Sequence, residues 1–160
     1  MSKKPSRFWL FKSEPDVYGW TQFVADGRAQ WTGVRNYQAR NLLRDDVRVG
    51  DGVLFYHSNA EPLAVVGVAR VTKAAFPDPT QFDPDSPYFD AKSTPVEPRW
   101  FGVELVPGAA MRVLVTREMM KLDPGLNGMM VLQRGARLSV QPVLPEHFAR
   151  VCTMGGLAAR

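Results

Sequence analysis

A chain of 160 residues with 45% hydrophobic and 22% charged side chains is long enough to bury roughly two thirds of its extended surface in one compact domain, and so average a composition excludes disordered and fibrous classes. Twenty Lys and Arg against 16 Asp and Glu give a formal charge of +4 and a pI near 9.5, an excess that permits a polyanionic partner without requiring one. A single cysteine, Cys152, excludes an internal disulfide framework and a multi-cysteine zinc site, and fits a reducing compartment, cytoplasmic or, in a eukaryote, nuclear.

Residues 1–6 read as a disordered leader, and the apolar stretch Phe8 to Phe11 is far too short for a signal h-region. No apolar run approaches the roughly 20 residues of a spanning helix, so a chain neither secreted nor membrane-embedded is expected. Arg7 to Lys12 is dense in aromatic and large apolar side chains and predicts a buried first strand, stopped by Pro15. That stop leaves Lys12, Ser13 and Glu14 at a strand end, where side chains face a pocket more often than a core. A helix over Tyr18 to Ala25, closed by Gly27, follows.

Gln30 to Arg48 mixes Trp31 and Tyr37 with amides and arginines where an ordinary helix would show an apolar stripe. An aromatic beside the turn at Gly33, followed by donors and acceptors, is the composition of a pocket that stacks a flat ring and reads its edge. The competing reading puts Trp31 in the core, Gly33 in a turn, and Arg40 and Arg44 on a solvated helical face. Within this stretch Tyr37 to Arg44 reads as a helix anchored through Leu42 and Leu43.

Val53 to His57 is an apolar run of strand length whose end presents Tyr56, His57 and Ser58. Leu63 to Val71 pairs with it as a hairpin, and Gly67 inside it predicts the bend or bulge that a small barrel requires. From Phe76 to Lys92, Pro77, Pro79, Pro84 and Pro87 alternate with Asp78, Asp83, Asp85 and Asp90. Calcium-loop spacing is absent there, so Asx-turns are expected, with Phe82, Tyr88 and Phe89 pinning the loop onto the barrel. Arg99 to Val106 reads as a strand ended by Pro107-Gly108, Met111 to Val115 as another short strand, and Thr116 as the cap of a helix through Leu122. The methionines at 119, 120, 129 and 130 read as core filler. Leu132 to Val143 is a basic turn running into a strand that aligns Arg137, Ser139 and Gln141 as a third pocket wall. A C-terminal helix opens at Pro145 and buries Leu144, Phe148, Val151 and Cys152.

Several short strands with three or four helices between them predict an α+β fold, a small mixed β-barrel surrounded by helices, rather than a doubly wound sheet. No glycine-rich phosphate loop, zinc spacing or nucleophile elbow is present, so no catalytic residue, metal site or cofactor is predicted. The residual catalytic arrangement is a convergence of Ser13, Lys12 and His57 at their strand ends.

Phe8-Trp9-Leu10-Phe11-Lys12-Ser13-Glu14-Pro15, Trp31-Thr32-Gly33-Val34-Arg35-Asn36-Tyr37-Gln38-Ala39-Arg40-Asn41, Phe55-Tyr56-His57-Ser58-Asn59 and Arg137-Leu138-Ser139-Val140-Gln141-Pro142-Val143 together resemble the EVE domain family. Pro77 to Pro84 and Pro98-Arg99-Trp100 sit where that pattern has them, whereas Val17 to Phe23 departs from a segment more acidic in the family. The resemblance covers nearly the whole chain. It implies one domain over residues 7–155 with a tail at 156–160, and a PUA-like fold related to YTH and ASCH domains. It also implies a nucleic-acid partner, one carrying a modified base, with no membrane and a monomer assumed.

Carried over from the family, the pocket is lined by Lys12, Ser13 and Glu14, by Trp31 to Asn36 with Gly33, Val34 and Arg35 between them, by Tyr56, His57 and Ser58, and by Arg137 with Ser139. In that picture a flipped base slides against Trp31 or Tyr56 and is identified by Ser13, Asn36 and His57. Arg35, Arg40, Arg44 and Arg137 hold phosphates. Two rival readings are an enzyme acting on a modified base through His57 and Lys12, and a protein-interaction module.

Overall fold

The computed structural model describes residues 7–157; residues 1–6 and 158–160, assigned to the leader and the tail, lie outside the described residues. The aromatic-rich first segment forms β1 (Phe8–Ser13), which pairs in parallel with β3 (Gly52–His57) and antiparallel with β6 (Val140–Val143). β3 turns back into β4 (Ala64–Pro77), giving the expected hairpin, and β4 pairs with β5 (Phe101–Thr116). The short β2 (Ala29–Trp31) completes a six-stranded mixed sheet of order β2-β5-β4-β3-β1-β6.

Period-2 alternation divides β1 and β3 between two apolar clusters. Trp9 and Phe11 of β1 join Val53 and Phe55 of β3 in one, while Leu10 and Leu54 join Met120 and Val151 in the other. Trp31 and Val140, from the two outermost strands, both belong to the first cluster. A sheet whose two ends meet the same core is curled around it, which agrees with the expected α+β class and its barrel.

Two expectations about strand ends are corrected. Pro107-Gly108 does not end a strand, and Met111 to Val115 is not a separate one, because both lie within β5. The β4–β5 ladder shifts register on both sides of Gly67, with Pro107 opposite Ala69. Bulges let a proline that cannot donate pass through a continuous strand. Gly67 is required at the bend because a β-carbon there would run into the Trp20 ring.

The first helix is also divided. α1 (Pro15–Tyr18) and α2 (Trp20–Asp26) are separated by Gly19 in an extended conformation, whereas Gly27 closes α2 at φ 73° as the sequence indicates. α3 (Tyr37–Asn41) is capped by the Asn36 side chain, which accepts from Ala39 N–H, and continues into a π-helical turn, Leu42–Asp46, anchored by the buried Leu43. Thr116 caps α4 (Arg117–Lys121) by accepting from Met119 N–H. In α5 (Pro145–Met154) Val151 and Cys152 are buried, and burial pushes the Cys152 thiol pKa up, as fits a packing residue. Leu144, expected on that buried face, precedes the helix and is exposed. Leu157, placed in the tail by sequence, packs against the second cluster.

The Asp/Pro-rich loop is pinned by polar groups more than by the three aromatics, since Tyr88 and Phe89 remain exposed. Gln81 is fully buried; its Nε2 donates to the carbonyls of Asp78 and Trp100, and its Oε1 accepts from Ser93 Oγ and from the backbone N–H of Arg99 and Trp100. Asp78, Asp83 and Asp90 accept from the backbone N–H two residues on, which are the expected Asx-turns. Among the described residues no helix is long and apolar enough to cross a membrane.

The contact that seats β2 is tight. A β-carbon at Gly102 would lie 2.5 Å from the Trp31 carbonyl oxygen, which is backbone and cannot rotate aside. Gly102→Ala is therefore expected to cost about 1–3 kcal/mol of stability through overpacking, read as a lower urea midpoint with an unchanged slope.

Candidate functional site

A cavity of about 680 Å³ opens where the end of β1, the α1–α2 segment and the β2–α3 connection meet the tip of the Asp/Pro loop. Of the residues expected from sequence, it is lined by Lys12, Ser13 and Glu14, by Trp31, Gly33, Val34 and Arg35, and by Ser139. Among the wall residues not anticipated as site residues are Tyr18, Asp26, Arg28 and Tyr88.

Several of these groups are already engaged. Ser13 Oγ donates to the Tyr18 carbonyl, which fastens β1 to α1. The Lys12 ammonium donates to the Ala136 carbonyl at 3.1 Å, and burial, aided by the Arg117 charge, pulls its pKa down. Tyr18 Oη donates to Asp26 Oδ2 at 2.8 Å. Burial and the Asp26 carboxylate push the phenol pKa up to about 12, so it remains a protonated donor at neutral pH.

Arg35 is the best-secured side chain of the wall. Nε donates to the Tyr88 carbonyl, Nη1 to the Val34 carbonyl and Asp78 Oδ2, and Nη2 to Thr80 Oγ1 and again to the Tyr88 carbonyl. A guanidinium has five N–H donors, and all are used within the protein. The expected phosphate contact by Arg35 is therefore corrected: it braces the wall and has no donor left for a ligand. Its guanidinium also lies 5.5 Å from the Tyr88 ring centroid. That ring, 40% exposed, rests against Gly33, where φ is +82° and a β-carbon would meet it at 2.9 Å. Glycine is thus required there twice, for its backbone and for the ring.

Asp78 closes this arrangement. Its carboxylate is fully buried and accepts from Gly33 N–H at 2.7 Å, Arg35 Nη1 at 3.0 Å, Thr80 N–H at 2.8 Å and Thr80 Oγ1 at 2.6 Å. Burial by itself would raise its pKa, but the hydrogen bonds from Thr80, Gly33 and Arg35 together hold it below the usual carboxylate value.

Other expected wall residues lie elsewhere. Tyr56 is buried in the second cluster, on the opposite face of the sheet from Phe55, because adjacent strand residues point to opposite faces. His57 Nε2 accepts from the Trp20 N–H at 3.1 Å, so the imidazole caps α2, and burial lowers its pKa, which keeps it neutral. Asn36 is spent on the cap of α3. Ser58 binds β1 through its N–H to the Ser13 carbonyl. Arg137 is exposed, outside the cavity wall, and Gln141 is buried with its amide donating to the Leu138 carbonyl. Arg40 donates to the Arg99 carbonyl, and Arg44 pairs side by side with Asp45; neither lines the cavity. Ser13, Lys12 and His57 bond to three different partners and do not form a catalytic relay.

Trp31 is only 9% exposed, with ring centroids 5.5 Å from Phe11 and 5.6 Å from Phe55. It lines the cavity as part of the core instead of offering an open stacking face, and the most exposed ring of the wall is Tyr88. The signal for Tyr88 was an aromatic in a polar, proline-punctuated loop; nothing local in the sequence placed that loop beside Gly33.

A family model, EVE domain, matches residues 7–154. Mouse thymocyte nuclear protein 1 is 35% identical over 164 residues, covering 91% of this chain and 72% of its own length. The curated relatives are longer, and the chain spans as little as 65% of the length of one from Schizosaccharomyces pombe. A crystal structure from Pseudomonas putida superimposes with a TM-score of 0.88 at 42% identity, covering 92% of this chain and 99% of that one. Human THYN1, solved in complex with 5-methylcytosine-containing DNA, superimposes with a TM-score of 0.87 at 31% identity over 96% of this chain and 99% of that one.

Removing the Asp78 carboxylate strands the Arg35 charge and the Gly33 and Thr80 donors, so Asp78→Ala is expected to cost about 3–5 kcal/mol, measured by urea denaturation. The pH dependence has two acid-side steps. For both His57 and Asp78 the folded pKa is depressed. Each therefore contributes stability that is full above its unfolded pKa, about 6.5 and 3.9 respectively, and is lost as pH falls through the lower folded value. A melting-temperature profile should decline first below about pH 6.5, and His57→Gln should remove that upper step while leaving the lower one.

Proposed function

The chain belongs to the EVE domain family, and from that membership we propose that it is a nucleic-acid-binding reader that accepts a flipped, modified base in the cavity beside Tyr88. The observation that carries this reading is a preorganised wall. An accessible aromatic ring is fixed by Arg35 and Gly33 at the mouth of a cavity of about 680 Å³, a volume within the range of about 300–1,000 Å³ typical of small-ligand sites. The methylcytosine-containing DNA held by the human relative supports nucleic acid as the ligand class.

In this mechanism the base stacks on Tyr88, a contact of about 1–3 kcal/mol per base. Its edge meets the carboxylates of Glu14 and Asp26, which accept from an exocyclic amine, and the Ser139 hydroxyl. Arg28 on the wall and the exposed Arg137 near it hold phosphates, setting affinity and its salt dependence without choosing sequence. Arg35 acts through Tyr88, as a positioning residue.

A panel of modified nucleosides tests the cavity by thermal stabilisation, since a ligand at a hundred times its dissociation constant adds about 2.7 kcal/mol to the folded state. Tyr88→Ala should fold normally and lose about 5- to 150-fold in affinity for the stabilising nucleoside. Arg28→Ala should lower the salt slope of oligonucleotide binding by about 0.7 for single strands. A protein stabilised by no nucleoside, or a Tyr88→Ala protein that binds as wild type, would refute the cavity assignment.

A further inference from the structure

Beyond the cavity, a second aromatic surface continues from the same brace. The Arg35 guanidinium that lies over Tyr88 also lies 5.2 Å from the Trp100 ring. Trp100 is buried and immobilised: its Nε1 donates to Asp90 Oδ2 at 2.8 Å, and its backbone N–H and carbonyl are both bonded to the Gln81 amide. Tyr37 stacks on this fixed indole at 4.8 Å with an interplanar angle of 26°, yet is itself 52% exposed. An exposed ring backed by a rigid one is already ordered for stacking, so a flat ligand would immobilise little on binding.

The cation beside it is incompletely used. Arg40 lies 4.8 Å from the Tyr37 centroid and 6.0 Å from that of Trp100. Were it directly across Tyr37 from the indole, the second distance would be near twice the first; at 6.0 Å it is not, and the Tyr37 ring stays half exposed beside it. Arg40 Nε donates to Asn41 Oδ1 and Nη1 to the Arg99 carbonyl at 2.6 Å. Three of the five guanidinium N–H donors thus have no protein partner among the described residues. Arg44, one turn on, has its charge paired with Asp45, whereas Arg40 has no ion pair among the described residues, so the unpaired positive charge beside the ring is that of Arg40.

We propose that Tyr37 and Arg40 form a second nucleotide subsite, which stacks an unpaired base flanking the one in the cavity and holds its phosphate. A fixed, half-open aromatic face next to a guanidinium with unused donors is the pairing by which single-stranded nucleic acid is held without sequence preference. The Tyr88–Arg35–Trp100–Tyr37 row makes this surface continuous with the cavity mouth. The subsite rests on the cavity reading for its ligand class, but neither Tyr37 nor Arg40 lines the cavity, so the two are separable.

Two probes distinguish them: the free nucleoside 5-methyldeoxycytidine, and a single-stranded DNA of about nine nucleotides with one central 5-methylcytosine, long enough at about 3.4 Å per stacked nucleotide to reach both places. Tyr37→Ala should weaken the oligonucleotide about 5- to 150-fold, the loss of one stacked base, and leave nucleoside binding unchanged. Tyr37→Phe should bind both as wild type, and Arg40→Gln should reduce the oligonucleotide salt slope by about 0.7. Should Tyr37→Ala fail to fold, the Arg40→Gln slope decides. Oligonucleotide binding unaffected by these changes overturns the subsite and leaves the cavity standing. Loss of nucleoside binding in folded Tyr37→Ala also overturns it, because the ring would then act through the cavity. Tyr37-dependent oligonucleotide binding without nucleoside binding supports the subsite and overturns the cavity, and a wild-type protein that binds neither probe overturns both.

Discussion

A carboxylate with no solvent exposure, Asp78, holds together two loops far apart in sequence, and the geometry of the cavity depends on it. Burial of an ionised group is costly unless its lone pairs are filled, and here Gly33, Arg35 and Thr80 fill them. The same bonds fix the backbone after β2, orient the Arg35 guanidinium, and through it secure the Tyr88 backbone and ring. Each element is therefore placed by the next, and the flexible arginine is locked by its own five bonds.

The aromatic side chains divide according to the face on which they emerge. Trp9, Phe11, Trp31 and Phe55 fill the interior of the curled sheet, where edge-to-face packing adds to area burial. Tyr88 and Tyr37 emerge from loop and helix instead, and both are supported from behind by groups bonded into the fold: Gly33 and Arg35 for one, Trp100 for the other. Exposed rings so supported form the surface that the proposed reading gives to a flat ligand. The buried ones explain why the sheet holds its curvature.

Polar groups at the strand ends serve the fold as much as any ligand. His57 gives α2 an acceptor for an N–H that the helix itself cannot satisfy, and Ser13 ties β1 to α1. The α1–α2 segment these bonds secure carries Tyr18 and Asp26 into the wall. Residues read from the sequence as ligand contacts thus act one step back, by holding the elements from which contacts are made.

Much of the architecture was determined by the sequence alone. Apolar runs of strand length marked the longer strands, Pro15 ended β1, Gly27 closed the first helical segment, Thr116 capped α4, and four ordered motifs identified the family. These are local signals, carried by residues within one element of each other. The division of α1 from α2, the uninterrupted β5 and the separation of Tyr56 from the cavity depended on pairing partners distant in the chain. So did the state of each donor: whether an arginine has N–H groups left for a ligand is decided by carbonyls and carboxylates dozens of residues away. That is why Arg35 and Arg40, similar in sequence context, have different capacities in the folded protein.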